Sequence, residues 1–225
     1  MKETLQELRK GFLDKKHFAI RMITVVIAVI IMGFSISWII LVDMGTDPCS
    51  LLNIAISDTL GMTLGNWQAL FNTILFVVVI LCGARNIGFG TIANMFLVGY
   101  SIDFFSWIWS MVLPKGLFDI LAVRIAVMVP ALAVFILAVA VYIDMDMGTS
   151  PFDAIPAIIA KRLPKVPFKV VRIAYDGVAT FIGFLFGGVP GVVTIIMVFA
   201  LGPVIAWVGK KIRKKWDFLD EEMTK

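Results

Sequence analysis

The sequence has few of the residues on which catalysis and metal binding usually depend. It contains one histidine, His17, and two cysteines, Cys49 and Cys82, which lie too far apart to suggest a disulfide framework. With so few histidines and cysteines, a Cys/His metal cluster and a Ser–His hydrolytic pair are excluded. No phosphate-binding Gly-Lys-Ser/Thr loop is present either. We therefore expect no catalytic residue, no metal site, no cofactor and no ATP hydrolysis, and the protein is not expected to be an enzyme.

Charged residues are also scarce. They make up 16% of the 225 residues, whereas 60% are hydrophobic; a soluble domain has about a quarter charged residues. Apolar runs of roughly the length that crosses a bilayer lie at about 22–42, 66–83, 88–110, 122–143, 170–187 and 190–208. The sequence predicts an all-α membrane protein with about six transmembrane helices and the lipid bilayer as its surroundings.

The positive charges predict the topology. With six spans, 18 of the 20 Lys and Arg residues fall on one side of the membrane, which is then the cytoplasm. We expect a multi-pass protein of the plasma membrane with both termini cytoplasmic: an amphipathic segment at 1–20 and a charged tail at 210–225. Because these basic ends lie beside membrane spans, membrane topology explains them better than nucleic-acid binding does. Arg21 and Arg124 are expected to snorkel at the ends of spans.

The chain contains an internal repeat. Asp43-Met44-Gly45-Thr46-Asp47-Pro48 returns 103 residues later as Asp146-Met147-Gly148-Thr149-Ser150-Pro151, and other Arg, Gly and Thr residues recur at the same offset. The repeats are predicted at 21–113 and 114–209. Because three spans in each repeat is an odd number, the second copy should be inverted relative to the first, as in many secondary transporters.

The repeated motif predicts a helix stop followed at once by a helix start. Gly45 and Gly148 can adopt the left-handed conformation that ends a helix, and Asp47-Pro48 and Ser150-Pro151 suit the start of the next. Those next helices, at about 49–60 and 152–162, are too short to cross the bilayer and are predicted to be broken or re-entrant. The alternative is a tight turn before a helix that lies on the membrane surface.

Polar residues in the motifs and spans are the candidates for a solute-binding site. Asp176 in the fifth span matches Asn72 in the second after a one-residue gap, and polar groups at this depth usually face a partner or a cavity. The alternative for Asp176 is an ion pair with Arg172, one helical turn away. The alternative for the threonines is a hydrogen bond to their own helix. The predicted lining comprises Gly45, Thr46, Asn72, Thr91, Asn94, Gly148, Thr149, Asp176 and Thr194.

The order of these motifs resembles the YitT/YczE group of small bacterial membrane proteins. The features that carry the resemblance are Gly45-Thr46-Asp47-Pro48, then Asn72, then Gly88-Phe89-Gly90-Thr91 and Gly99, with the same series in the second copy. The resemblance spans nearly all of the chain between Arg21 and Lys210. It implies an integral plasma-membrane protein and assigns no substrate or site residue.

The leading hypothesis for function is an ATP-independent secondary transporter that moves a small molecule or ion, polar or charged, by alternating access. One alternative is a solute-binding membrane subunit of a larger importer. Another is a membrane scaffold or regulator that moves nothing. A homodimer would suit a chain of this size, although no interface is evident from the sequence.

Overall fold

The structure, a computed structural model, describes residues 17–82 and 87–216. Every regular element in these ranges is helical, and they contain no β-strand. Most of the predicted N-terminal segment, Arg85 and residues 217–225 of the tail lie outside the described residues. The helices are α1 (Phe18–Val42), α2 (Pro48–Leu60), α3 (Leu64–Leu81), α4 (Phe89–Val112), α5 (Leu121–Asp144), α6 (Pro151–Arg162), α7 (Phe168–Leu185) and α8 (Val192–Trp216), with a 3₁₀ turn at Leu117–Asp119.

The predicted membrane character is confirmed. Within the described ranges five helices, α1, α3, α4, α5 and α8, are long and apolar enough to cross a membrane. The predicted fifth span corresponds to α7, which is 18 residues long but carries Lys169, Arg172 and Asp176. Its crossing of the bilayer stays a prediction. Helix α8 continues to Trp216, so the first residues of the predicted tail are helical.

The repeated motif forms the predicted helix stop and helix start in both copies. Asp47 caps α2 by accepting a hydrogen bond from Ser50 N, and Ser150 caps α6 by accepting one from Asp153 N. Each cap is followed by proline, whose missing N–H would be unpaired there in any case. With 13 and 12 residues, α2 and α6 are about 20 Å long, well short of the roughly 30 Å of hydrocarbon.

Helices α1 and α5, the first of each repeat, pack together in opposite directions. Near the start of α1, Arg21 Nη1 donates to Met145 O, just past the end of α5, at 3.0 Å. Near the end of α1, the ring of Trp38 lies 6.4 Å from that of Phe118, just before α5 begins. The expectation that Arg21 snorkels was wrong, because it is 6% exposed and its guanidinium bonds a carbonyl at a helix end.

The two repeats interlock through their motifs. Val193 N, at the start of α8, donates to Met44 O at 3.2 Å, and Gly90 N, at the start of α4, donates to Met147 O at 2.7 Å. The two bonds are equivalent under the repeat. In the first, the second repeat donates to the motif of the first repeat, and in the second, the first repeat donates to the motif of the second. In addition, α2 of the first repeat packs against α7 of the second, and α6 of the second packs against α3 of the first. Each repeat therefore supplies hydrogen-bond donors and packing surfaces to the other.

The motif glycines are predicted to be sensitive to substitution. Gly148 has φ +104°, and a Cβ there would lie 2.5 Å from Thr91 Oγ1 and 2.6 Å from Gly88 N. Gly148→Ala therefore combines backbone strain with a steric clash, and we expect a loss of about 2–4 kcal/mol. The measurement is the thermal midpoint of the purified protein in detergent. Gly61→Ala is the matched control, since Gly61 has φ +64° with nothing within 4 Å of its Cβ position. Equal losses in the two variants would contradict the close approach at Gly148.

Candidate functional site

A cavity of about 750 Å³ lies between the two repeats and is lined by residues from all eight helices. Pockets that hold small molecules are typically about 300–1,000 Å³. Many of its polar lining residues come from the two motifs and the helices that follow them, and most of its apolar lining residues come from α1, α5 and the middle of α8. We take it as the candidate binding site.

Repeat-equivalent positions line this cavity together. Most of the first repeat's lining residues have their counterpart in the lining too, at an offset of 103, or 104 between α3 and α7. The pairs are Met32 and Phe135, Ile36 and Val139, Asp47 and Ser150, Cys49 and Phe152, Ser50 and Asp153, Gln68 and Arg172, and Val98 and Leu201.

Asp47 is the acidic residue that the first repeat contributes to the lining. It is 8% exposed, and the hydrogen bond it accepts on Oδ1 comes from Ser50 N at 3.1 Å. Two lining carboxylates form ion pairs, Asp153 with Arg172 and Asp144 with Arg213. Asp47 belongs to neither pair. In the described part of the chain no lysine or arginine pairs with Asp47. The carboxylate is thus buried, with one edge bonded to its own helix and no cation beside it.

The second repeat contributes a charged network at the matching place. Arg172 donates from Nη1 to Asp153 Oδ1 at 2.6 Å and from Nε to Asp176 Oδ2 at 2.8 Å. Ser150 Oγ donates to the other oxygen of Asp153 at 2.7 Å. The ion pair that was the alternative for Asp176 is therefore present. Asp176 is 2% exposed, and its second oxygen, Oδ1, has no hydrogen-bond donor.

The cavity extends to an exposed end of the helices, which we call its mouth. Beyond the paired positions its lining comes almost entirely from the second repeat, towards the ends of α5 and α8, where Lys210 and Arg213 are exposed. At this mouth Arg213 Nε donates to Asp144 Oδ1 at 2.8 Å. Basic residues crowd at this end, and the charge pattern of the sequence predicts that such an end is cytoplasmic.

The equivalent end of the first repeat is closed. A Cβ at Gly99 in α4 would lie 2.8 Å from Gly65 Cα in α3, and Gly65 N donates to Asp103 Oδ2 at 2.8 Å. At Gly202, the counterpart of Gly99 in α8, a Cβ would meet nothing within 4 Å. The same helix position is therefore tightly packed in one repeat and open in the other.

Two of the residues predicted from the sequence, Thr149 and Asn94, line the cavity. Two others, Asn72 and Asp176, are buried on α3 and α7 outside the lining. The remaining predicted residues lie where each motif crosses a helix of the other repeat. There Thr46 N donates to Thr194 Oγ1 at 3.0 Å, and Thr91 Oγ1 accepts from Gly88 N at 3.2 Å. Gly45 and Gly148 pack against Gly191 and Gly88 in the same two crossings.

Sequence reasoning did not single out Asp47, Ser50, Gln68 and Asp153 as lining residues. Asp47 was predicted only as a helix cap. The signal that could have found them is the repeat offset applied to polar residues: Ser50 aligns with Asp153, and Gln68 aligns with Arg172. A polar residue at the same place in both copies of an interlocked repeat indicates a shared surface.

These helices and this cavity define a multi-pass helical membrane protein with an internal polar site. The chain belongs to the family of unknown function DUF6198, which matches residues 19–210. It is also similar to the uncharacterized protein YyaS of Bacillus subtilis (strain 168), with 26% identity over 174 residues, 76% of this chain and 84% of that protein. No solved structure matches the chain. The resemblance to the YitT/YczE group stays a prediction.

Proposed function

We propose that the protein is an ATP-independent secondary transporter of the plasma membrane, built from two three-span repeats of inverted topology. It would move a small polar or charged solute by alternating access. The observation that carries this proposal is the lining of the cavity by equivalent residues from both repeats. In transporters with inverted repeats the solute binds near the midplane, at the interface of the repeats.

The direction of the helices supports the inversion. Helices α1 and α5 are antiparallel, as their contacts at both ends require. Repeat equivalents such as Asp47 and Ser150 are then related by a pseudo-two-fold axis in the membrane plane. Such an axis places equivalent residues at equal distances on opposite sides of the midplane, so pairs close to the midplane can both reach one solute.

The difference between the two halves supports alternating access. The second repeat is open around Gly202, whereas the first is closed around Gly99. With the mouth at the basic, cytoplasmic end, this arrangement is an inward-facing state. If the halves exchange conformations, the first repeat opens and the second closes, and the same cavity then faces outward. Binding of solute to both states at this shared site allows it to cross without ATP.

The sidedness of two equivalent cysteine substitutions tests this proposal. Ile205 lines the open cavity and Ile102, its counterpart, is 2% exposed. In a background with Cys49→Ser and Cys82→Ser, a membrane-impermeant maleimide should label Ile205→Cys from the cytoplasmic side. Ile102→Cys should be labelled from the outside, slowly, because that state is not the one observed. Labelling of both variants from one side would contradict the inversion, and permanent protection of Ile102→Cys would contradict the exchange.

Reconstitution separates this proposal from its alternatives. The purified chain alone, in liposomes without nucleotide, should exchange labelled solute across the bilayer. A capture subunit would bind solute but need an ATPase partner to move it. A scaffold would neither bind nor move solute, and substitutions in the cavity would then leave its cellular phenotype unchanged.

A further inference from the structure

We propose that the solute is an organic cation with an apolar body, and that Asp47 is the residue that holds its positive charge. This inference rests on the proposed transport function and names the substrate class of the same cavity.

Asp47 is a carboxylate that lacks a counter-ion within the described residues. It is more than nine-tenths buried, it faces the cavity, and its bonded donor is Ser50 at the start of its own helix. A charge withdrawn from water without a partner is costly, and the cost is relieved when a cation binds beside it. The start of α2 favours a negative charge at this place.

The neighbouring charges also favour a cation. Asp47 and Asp153 line the inner part of the site and Asp176 is buried outside the lining; Arg172 is the basic side chain there, already bonded to Asp153 and Asp176. An anionic solute would have to compete with both carboxylates for this guanidinium. Lys210 and Arg213 lie at the exposed mouth, where water and salt screen them.

The helix starts are already partly occupied. A half-helix attracts anions through unpaired N–H groups in its first turn. At α2 the N–H of Ser50 is bonded by Asp47, and at α6 the N–H of Asp153 is bonded by Ser150. At each start a side chain of the protein itself therefore occupies one of the groups that an anion would use, and the proline in the first turn has no N–H to offer.

The rest of the lining fits an apolar body. The walls of the same cavity include the apolar side chains of Met32, Phe135, Phe152 and Leu201. A space of about 750 Å³ with such walls is far larger than a metal ion needs and matches a compact organic molecule. The rings of Phe135 and Phe152 can also stabilise an ammonium group through their π faces.

Three probes with the same phenyl body test the charge preference. The purified full chain in detergent is titrated with benzyltrimethylammonium, with its uncharged isostere neopentylbenzene and with benzenesulfonate, and binding is followed by calorimetry and by the rise in thermal midpoint. We expect binding of the cation and at least about tenfold weaker binding of the other two. Equal or tighter binding of benzenesulfonate would overturn the proposal, as would no binding of the cation at millimolar concentration.

The same titration with Asp47→Asn identifies the residue. Asparagine caps a helix as well as aspartate does, so this variant removes the charge and keeps the start of α2. We expect its affinity for benzyltrimethylammonium to fall at least about tenfold. Asp47→Ser, which copies the cap of the second repeat at Ser150, is the second variant should the first fail to fold. The matched control is Asp58→Asn, which removes an exposed acidic residue near the other end of α2, outside the cavity lining, with an expected change below about threefold. An unchanged affinity in the Asp47 variants overturns the proposal.

Flux measurements distinguish failure of this inference from failure of the transport proposal. If liposomes containing the protein exchange benzyltrimethylammonium and the Asp47→Asn variant does not, both proposals are supported. Exchange of benzenesulfonate in place of the cation would keep the transporter and overturn the cation site. Charge-selective binding that depends on Asp47, without exchange, would keep the cation site and overturn transport by this chain alone.

Discussion

Replacement of Arg172 by glutamine is expected to destabilise the protein by about 3–5 kcal/mol, the usual cost of removing one partner from a buried ion pair. The variant leaves Asp153 and Asp176 as neighbouring carboxylates without a cation. Most of the cost should come from Asp176, whose side chain is 3% exposed, whereas that of Asp153 is 40% exposed and partly hydrated. The size of the new side chain is not the cause, because the first repeat carries glutamine at the equivalent position, Gln68.

A double variant provides the matched control. Arg172→Gln combined with Asp176→Asn gives α7 the same uncharged pair that α3 carries in Gln68 and Asn72. We expect the double variant to recover most of the stability that the single variant loses, because no buried charge is then left unpaired. The measurement is the thermal midpoint in detergent at neutral pH for all three proteins. A double variant as unstable as the single one would show that the guanidinium acts mainly by packing.

The second large effect is expected at Gly202, where substitution should block the conformational cycle and leave the observed fold intact. A leucine side chain there enters open space, since nothing lies within 4 Å of the Cβ position. In the exchanged state, however, Gly202 must take the crowded surroundings that Gly99 has now. Gly202→Leu should therefore keep its thermal midpoint but exchange solute at least about tenfold more slowly.

Gly99→Leu is the mirror-image control. A Cβ at this position already lies 2.8 Å from Gly65 Cα, so leucine must push α3 away from α4, at a cost of about 1–3 kcal/mol. This variant should lose stability, and its Ile102→Cys derivative should be labelled faster from the outside. In Gly202→Leu the same thiol should stay protected. If the two leucine variants behaved alike in both measurements, the two halves would not exchange conformations.

The order of helices in this fold could be predicted from the sequence because the repeated motif marks a helix end and a helix start by local chemistry. The left-handed residues, the capping side chains of Asp47 and Ser150, and the prolines after them act within a few residues of each other. The lengths of α2 and α6 follow from the same signals. The membrane class follows from the scarcity of charge.

The lining of the cavity could be predicted only in part, because it depends on how each helix is rotated. Thr194 was expected to face solute, but its hydroxyl accepts a hydrogen bond from Thr46 N, 148 residues earlier. The bond from Arg172 to Asp153 joins residues 19 apart and exists only because α6 folds back against α7. Neither contact follows from periodicity or composition.

The interlocking of the motifs also sets the order in which the protein can be completed during its synthesis. Residues 43–48 emerge from the ribosome early, yet the groups that receive them, Val193 N and Thr194 Oγ1, belong to the last helix of the chain. Until α8 has been inserted, the carbonyl of Met44 and the amide of Thr46 lack these partners. Until α7 has been inserted, α2 also lacks the surface against which it packs. The amino-terminal half therefore remains incompletely packed in the bilayer until α8 has been made. A nascent chain truncated before residue 192 should be a preferred target for membrane-protein quality control.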